Sequence, residues 1–208
     1  MLNLLRKDFI VLKSSLWISV VYLIVFSAAF IPSMDASLQF VGIYTAFATI
    51  SLGTAIDIKN RNHHFLVTLP IGRKHIVRAK YIAAIIYTLY GVLASFGVHL
   101  LAKLIVPELH KPEYSYLDLL IPILIVLLLA SFYMPLFYAL SEKGTAIINI
   151  AFMIILIVLS QPTAYYINMA IEKDIISKQI LFLVPFGILL LFIASYFIAS
   201  KLFVRKDL

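Results

Sequence analysis

The stretch LDLLIPILIVLLLASFYMPLFYAL, residues 117–140, decides the fold of this chain. Its one charged side chain is Asp118, at the second position, and most of the other side chains are apolar. A helix rises about 1.5 Å per residue and the hydrocarbon core of a bilayer is about 30 Å thick, so about 20 apolar residues cross it. The stretch therefore predicts a membrane-spanning helix.

The composition extends this prediction to the whole chain. Of the 208 residues, 63% are hydrophobic and 13% are charged, whereas soluble domains carry about 25% charged residues. A domain of this size could not hide so many apolar side chains in a water-soluble core, because small domains keep a large surface. The chain contains no cysteine, which excludes disulfides, iron–sulfur clusters and thiolate zinc sites. We expect an all-α integral membrane protein.

Five further apolar runs are also long enough to span a bilayer. The six predicted transmembrane helices cover about 16–31, 38–56, 81–106, 117–140, 145–169 and 180–204. The chain has no internal repeat and no linker rich in glycine, serine or proline, so we interpret residues 1–208 as a single transmembrane domain.

The distribution of charge predicts the orientation of the spans. With six spans both termini share a side, and that side holds all of the 17 Lys and Arg residues except Lys103, Lys111, Lys173 and Lys178. Basic residues accumulate on the cytoplasmic side of membrane proteins. Both termini are therefore predicted to be cytoplasmic, with the plasma membrane as the location.

The N-terminal residues 1–15 have the pattern of a short amphipathic helix. Apolar residues recur at the spacings of a helix face, with basic residues between them. We expect this helix to lie in the cytoplasmic interface of the membrane, with Leu2, Leu5, Phe9 and Leu12 toward the lipid.

The cytoplasmic segment 57–80 combines basic and apolar residues. Phe65, Leu66 and Leu69 lie between polar stretches on a segment that should face water, which favours a protein contact. A loop that dips Phe65 and Leu66 into lipid is the alternative. Pro70 stops a helix, and a second helix is predicted to begin near Arg73 and to continue into the third span.

Two motifs resemble those of the short bacterial ABC-2-type permeases. One is the opening LLRKDFIVLK, and the other is LVTLPIGRKHIVRAKYI at 66–82, with its Leu-Pro, its basic pair, its Ile-Val and its Lys80 before the third span. The number of spans and the topology also match that family from end to end. One departure lies at the end of the second span, where the family commonly has two acidic residues. This chain has Asp57-Ile58 there, so the second acid is missing.

The resemblance implies a permease dimer, as a homodimer or with a paralogous chain, that binds two cytoplasmic ATPase subunits. ATP and Mg²⁺ would be bound by those subunits, and this chain would hold no cofactor, metal or catalytic residue. A coupling helix in the segment 57–80 would dock on the ATPase. The residues expected to couple the two proteins are Phe65, Leu66, Leu69, Pro70, Arg73, Lys74 and Arg78.

The resemblance also suggests a cargo. Short permeases of this kind often export peptides, and the subgroup that exports phenol-soluble modulins or related antimicrobial peptides is similar. We therefore expect a bacterial ABC exporter that moves an amphipathic or hydrophobic peptide across the plasma membrane. A lipid or a drug is an equally compatible cargo for an apolar path.

Other classes of function remain open at this point. A membrane scaffold or sensor could recruit a cytoplasmic partner through the same segment. A secondary transporter or channel is disfavoured, since the middles of the spans contain no carboxylate, and His99 is more typical of a hydrogen-bonded structural residue than of a proton carrier. No motif of a zinc protease, a serine hydrolase, a P-loop or a nucleic-acid-binding protein is present.

Small residues recur at four-residue spacing in several spans, which allows helices to approach closely. Packing within one chain is the favoured interpretation, and a subunit interface is the alternative. The small pairs include Gly42 and Ala46, Gly91 and Ser95, and Ser195 and Ala199.

Overall fold

The computed structural model of the protein describes residues 4, 6–7, 10, 13, 16–33, 36–60, 72–105, 114–140, 144–156, 158 and 178–205. Their regular secondary structure is helical throughout, with no strand among these residues, which confirms the all-α prediction. In chain order the helices are α1 (Leu16–Phe30), α2 (Ser37–Lys59), α3 (Arg73–Ile105), α4 (Tyr116–Ala139), α5 (Gly144–Leu156) and α6 (Lys178–Arg205).

Four of these helices, α2, α3, α4 and α6, are long and apolar enough to cross a membrane, whereas α1 and α5 are shorter apolar helices. Helix α3 begins at Arg73, as the break at Pro70 predicts, and its 33 residues include the predicted third span as far as Ile105. The second half of the predicted fifth span, 145–169, lies almost wholly outside the described residues.

Helix α2 is the centre of the bundle. It contacts α1, α3 and α4, while α6 packs against α3 and α4. Most of α2 is buried, and several of its hydroxyls bond to backbone carbonyls one turn away, as where Thr49 Oγ1 donates to the carbonyl oxygen of Thr45 at 2.7 Å. A polar group shielded from water needs such a partner, so this burial is compatible with a helix rich in threonine and serine.

Helices α2 and α3 approach each other closely at Gly91. A Cβ atom added there would lie 2.5 Å from the backbone N and Cα of Ala46, a distance that real Cβ atoms do not adopt. Ser95, Ser195 and Ala199 are also buried within the chain. The small residues therefore serve intrachain packing, as the favoured interpretation predicts.

The end of the bundle opposite to Asp57 is held together by polar contacts around the start of α4. Ser115 and Asp118 form a capping box, in which Asp118 Oδ2 accepts from the Ser115 backbone N–H at 2.8 Å. Gln39 Nε2 of α2 donates to the other carboxylate oxygen, Asp118 Oδ1, at 3.0 Å. The one charge in the stretch 117–140 thus caps α4 and also attaches it to α2.

We predict that Gly91→Ala destabilises the protein by about 1–3 kcal/mol, because the new methyl group overlaps backbone atoms that cannot move aside as a side chain can. Gly97→Ala is the matched control in the same helix, since a Cβ there meets no atom within 4 Å. Alanine favours a helix over glycine by about 1 kcal/mol, so the control should be as stable as the wild type or more stable. Denaturant unfolding in detergent compares the two, and equal stabilities would contradict the close approach.

Candidate functional site

Two ionisable side chains, Asp57 and Lys80, are buried together at one end of the bundle. Asp57, in the last turn of α2, is 1% exposed, and Lys80 of α3 is 6% exposed. Lys80 Nζ forms an ion pair with Asp57 Oδ2. A second lysine, Lys7 of the N-terminal segment, has its Nζ 3.6 Å from Asp57 Oδ1. One carboxylate is therefore shared by two lysines from separate parts of the chain, and we call these three residues the Asp57 cluster.

Burial makes the members of the Asp57 cluster depend on one another. Removing an ion from water costs several kcal/mol, and the attraction of an oppositely charged neighbour must offset that cost. Asp57 also lies at the C-terminal end of α2, where the partial negative charge of the helix end repels a carboxylate. The two lysines therefore stabilise both the aspartate and the end of the helix.

The Asp57 cluster lies at the base of the cytoplasmic segment that the sequence predicts at 57–80. Asp57 is the first residue of that segment and Lys80 is the last, so their ion pair holds its two ends together. A displacement of the segment must either move α2 and α3 as a unit or break a buried ion pair. This geometry is suitable for a segment 57–80 that transmits force into the bundle.

The surroundings of Asp57 and Ile58 differ, which bears on why the second span ends in one acid and not in two. Asp57 already has Lys7 and Lys80 as partners, whereas the side chain of Ile58 packs against the hydrophobic core. An acid at position 58 would face that apolar neighbourhood instead of a third lysine. A single carboxylate is sufficient for this cluster.

The residues predicted to couple to an ATPase fall into two groups. Phe65, Leu66, Leu69 and Pro70 lie outside the described residues. Of the other three, Lys74 and Arg78 are exposed on the first turns of α3. The structure brings Arg73 to α6 instead, where its Nη1 donates to the carbonyl oxygens of Val204 at 3.0 Å and Phe203 at 3.4 Å. Arg73 thus caps the C-terminal end of α6.

The N-terminal segment contacts the bundle through residues that the amphipathic pattern did not select. The predicted interfacial residues Leu2, Leu5, Phe9 and Leu12 lie outside the described residues. Leu4 is 7% exposed and belongs to the hydrophobic core, and Lys7, one turn later, reaches Asp57. This segment therefore has a side directed at the protein.

A second polar network joins α2, α4 and α5 in the interior. Tyr133 donates its hydroxyl to Asn149 Oδ1 at 2.6 Å and is also hydrogen-bonded to the hydroxyl of Thr54. Thr54 lies one turn before Asp57 on α2. Backbone and side-chain polar groups at membrane depth must find partners inside the protein, which explains why these three side chains converge.

A mainly apolar groove of about 320 Å³ lies between α1, α2 and α5. Its polar lining residues are Ser51 and Asn149, with Tyr22 on α1 at its edge. Asn149 also belongs to the network with Tyr133, so the groove borders the interior contacts of the bundle.

His99 has the structural environment that the sequence favours. It is 1% exposed, and its Nδ1 lies 2.8 Å from the carbonyl oxygen of Ser95, which can only accept, so Nδ1 carries a hydrogen. Its Nε2 lies 3.1 Å from the hydroxyl of Ser37. Nδ1 is thus bonded within α3, and Nε2 joins α3 to α2. Among the described residues no group of His, Asp or Glu could hold a metal ion.

Sequence reasoning identified Asp57 and Lys80 separately but did not predict their contact. It also did not select Lys7, Thr54, Tyr133 or Asn149 as site residues. A buried charge needs an opposite charge, so a lone acid at the end of a span next to a lysine-rich helix start was an available signal. The choice among several nearby lysines depends on the packing of α2 against α3 and could not be made from spacing alone.

Taken together, the apolar helices and the buried polar contacts define a multi-pass membrane protein. The model of a family described as ABC-2 family transporter protein matches residues 3–204, which is nearly the entire chain. The chain therefore belongs to the ABC-2 transporter family, which makes it a permease subunit of an ABC transporter and implies an ATPase partner. Neither the curated proteins nor the solved structures that were compared with the chain gave a match.

Proposed function

We propose that this permease subunit exports an amphipathic or hydrophobic cargo, foremost a peptide of the toxin or bacteriocin type, using ATP hydrolysed by a separate cytoplasmic ATPase subunit. The observation on which the proposal depends is the Asp57 cluster at the base of segment 57–80 in a chain of the ABC-2 family. The chain has no P-loop, so the energy must come from a partner, and this segment is the candidate point of entry.

The proposed topology has six spans with both termini in the cytoplasm of a bacterial cell. Contacts among the described residues support it. Lys7 near the N-terminus contacts Asp57 in the last turn of α2, and Asp57 is paired with Lys80 near the start of α3. The carbonyl oxygen of Val204 near the end of α6 accepts from Arg73, the first residue of α3. The ends of α2 and α6 and the beginning of α3 therefore lie at one end of the bundle. That end is rich in lysine and arginine, as a cytoplasmic side is.

The proposed mechanism transmits motion of the ATPase through segment 57–80 to the bundle. Phe65, Leu66 and Leu69 insert into a groove of the ATPase, and the basic residues Lys74 and Arg78 face its acidic residues. When the ATPase subunits close on ATP and Mg²⁺, the segment moves. The Asp57 cluster passes that movement to α2 and α3, and a second permease chain completes the path.

The cargo class is supported by the groove between α1, α2 and α5. Its apolar walls suit the nonpolar side of an amphipathic helix, while Ser51 and Asn149 offer hydrogen bonds to polar side chains. A peptide that partitions into the inner leaflet would reach such a groove from the side of the bundle.

Replacing Phe65, Leu66 and Leu69 together by Ala should weaken co-purification of the ATPase by at least about tenfold, because truncating buried interface anchors commonly costs more than 1 kcal/mol each. The matched control is the triple alanine variant of Leu101, Leu104 and Ile105, three exposed apolar residues at the opposite end of α3. The control should retain the ATPase. Unchanged association and unchanged ATP turnover in the first variant would refute the coupling role.

The cargo is tested in a strain from which the chain has been deleted. We expect amphipathic peptides to accumulate in the cells and to fall in the medium, as measured by mass spectrometry. Complementation with the wild type or with the Leu101, Leu104 and Ile105 control should reverse both changes. Accumulation of a lipid or a drug with unchanged peptide levels would contradict the peptide assignment and leave the ATPase coupling untouched.

A further inference from the structure

A basic groove lies between the first turn of α3 and the last three turns of α6. Its volume is about 330 Å³, and it is lined by Lys74 from α3 and by Tyr196, Phe197, Ser200, Lys201, Val204 and Arg205 from α6. These lining residues include three cations and no carboxylate. The groove is separate from the Asp57 cluster, whose residues do not line it.

The residues of the groove are ordered along α6 in a way that matches an amphipathic ligand. Phe197, Lys201 and Arg205 follow one another at four-residue spacing, so they form one row on the helix surface. Phe197 is 59% exposed and lies on the membrane side of the row, and the two cations follow toward the end of the helix. An acyl chain against the aromatic residue would place an attached anionic headgroup beside Lys201 and Arg205.

A buried hydroxyl in the wall of the groove provides an independent observation. Ser200 is 6% exposed, and its Oγ has no hydrogen-bond partner among the described residues. A buried hydroxyl without a partner is destabilising, and a phosphate oxygen in the groove could accept its hydrogen.

An anion can bind in the groove although the groove lies beside the C-terminal end of α6. The C-terminal end of α6 carries a partial negative charge that would repel a phosphate. Arg73 already donates to two of the last carbonyl oxygens, those of Phe203 and Val204, and so offsets part of that charge. The three cations of the groove then remain to attract the ligand.

From these observations we propose that the groove binds an anionic phospholipid from the leaflet at the basic end of the bundle. Its phosphate is held by Lys74, Lys201 and Arg205 with a hydrogen bond from Ser200, and one acyl chain lies along Phe197. Basic residues near a membrane surface each contribute to the binding of anionic lipids. The lipid would attach α6 to the start of α3. This role does not depend on the cargo, and in the chain without its ATPase Lys74 is available to the lipid.

The test uses the delipidated full chain in a neutral detergent, with lipid binding measured by native mass spectrometry. The probes are phosphatidylglycerol and phosphatidylcholine with the same short acyl chains, and glycerol phosphate as the headgroup without chains. We expect phosphatidylglycerol to bind about tenfold or more tightly than either of the others, from three nearby cations. Equal affinities for the two lipids would overturn the proposal, as would equal affinity for glycerol phosphate.

The double variant Lys74→Gln and Lys201→Gln should weaken phosphatidylglycerol binding about 25-fold, at about fivefold per lysine, without changing phosphatidylcholine binding. The matched control is Lys13→Gln and Lys59→Gln, two exposed lysines outside the groove, and it should stay within about threefold of the wild type. An equal loss in both double variants would overturn the proposal. The proposal would also be overturned if the Lys74→Gln and Lys201→Gln variant changed the oligomeric mass but not the lipid preference. That result would identify the groove as an interface between two copies of the chain.

Ser200→Ala separates binding from folding. Because the hydroxyl has no hydrogen-bond partner among the described residues, the variant without lipid should unfold at the wild-type temperature or above it. It should bind phosphatidylglycerol about tenfold more weakly. An unchanged affinity would overturn the part assigned to Ser200.

Discussion

The buried carboxylate of Asp57 is the constraint on which one end of this bundle depends, the end that we propose to be cytoplasmic. A carboxylate that is 1% exposed at the C-terminal end of a helix is unfavourable on two counts, through lost hydration and through the partial charge of the helix end. Lys80 and Lys7 compensate for both. Since these lysines come from α3 and from the N-terminal segment, the need to pair one charge brings three parts of the chain together.

The rest of the bundle is arranged around α2, which brings Asp57 to that position. The contact of Gly91 with the backbone of Ala46 sets the separation of α2 and α3, and that separation allows Lys80 to reach the end of α2. Thr54, one turn before Asp57, connects the same helix to Tyr133 and Asn149. A push on segment 57–80 would therefore meet a connected set of helices, which is the property that a coupling element needs.

The helices were largely predictable from the sequence, because apolar runs of the required length and a proline before Arg73 place their described ends within about three residues. The predicted end of the fifth span lies outside the described residues. The family was predictable from the two motifs around Lys80 and Asp8. The site was predictable in part, since Asp57 and Lys80 are conspicuous charges in an apolar chain. Their pairing, the capping of α6 by Arg73 and the burial of Leu4 depend on how distant helices pack, and local spacing holds no information about that.

The most direct measurement of the central claim is a double-mutant cycle on Asp57 and Lys80. The unfolding free energies of the wild type, Asp57→Asn, Lys80→Met and the double variant are measured in detergent. Each single change should cost about 3–5 kcal/mol, since it removes the opposite charge that offsets the burial of its partner, and the double variant should cost far less than the sum. Additive costs, or an Asp57→Asn protein as stable as the wild type, would contradict the account.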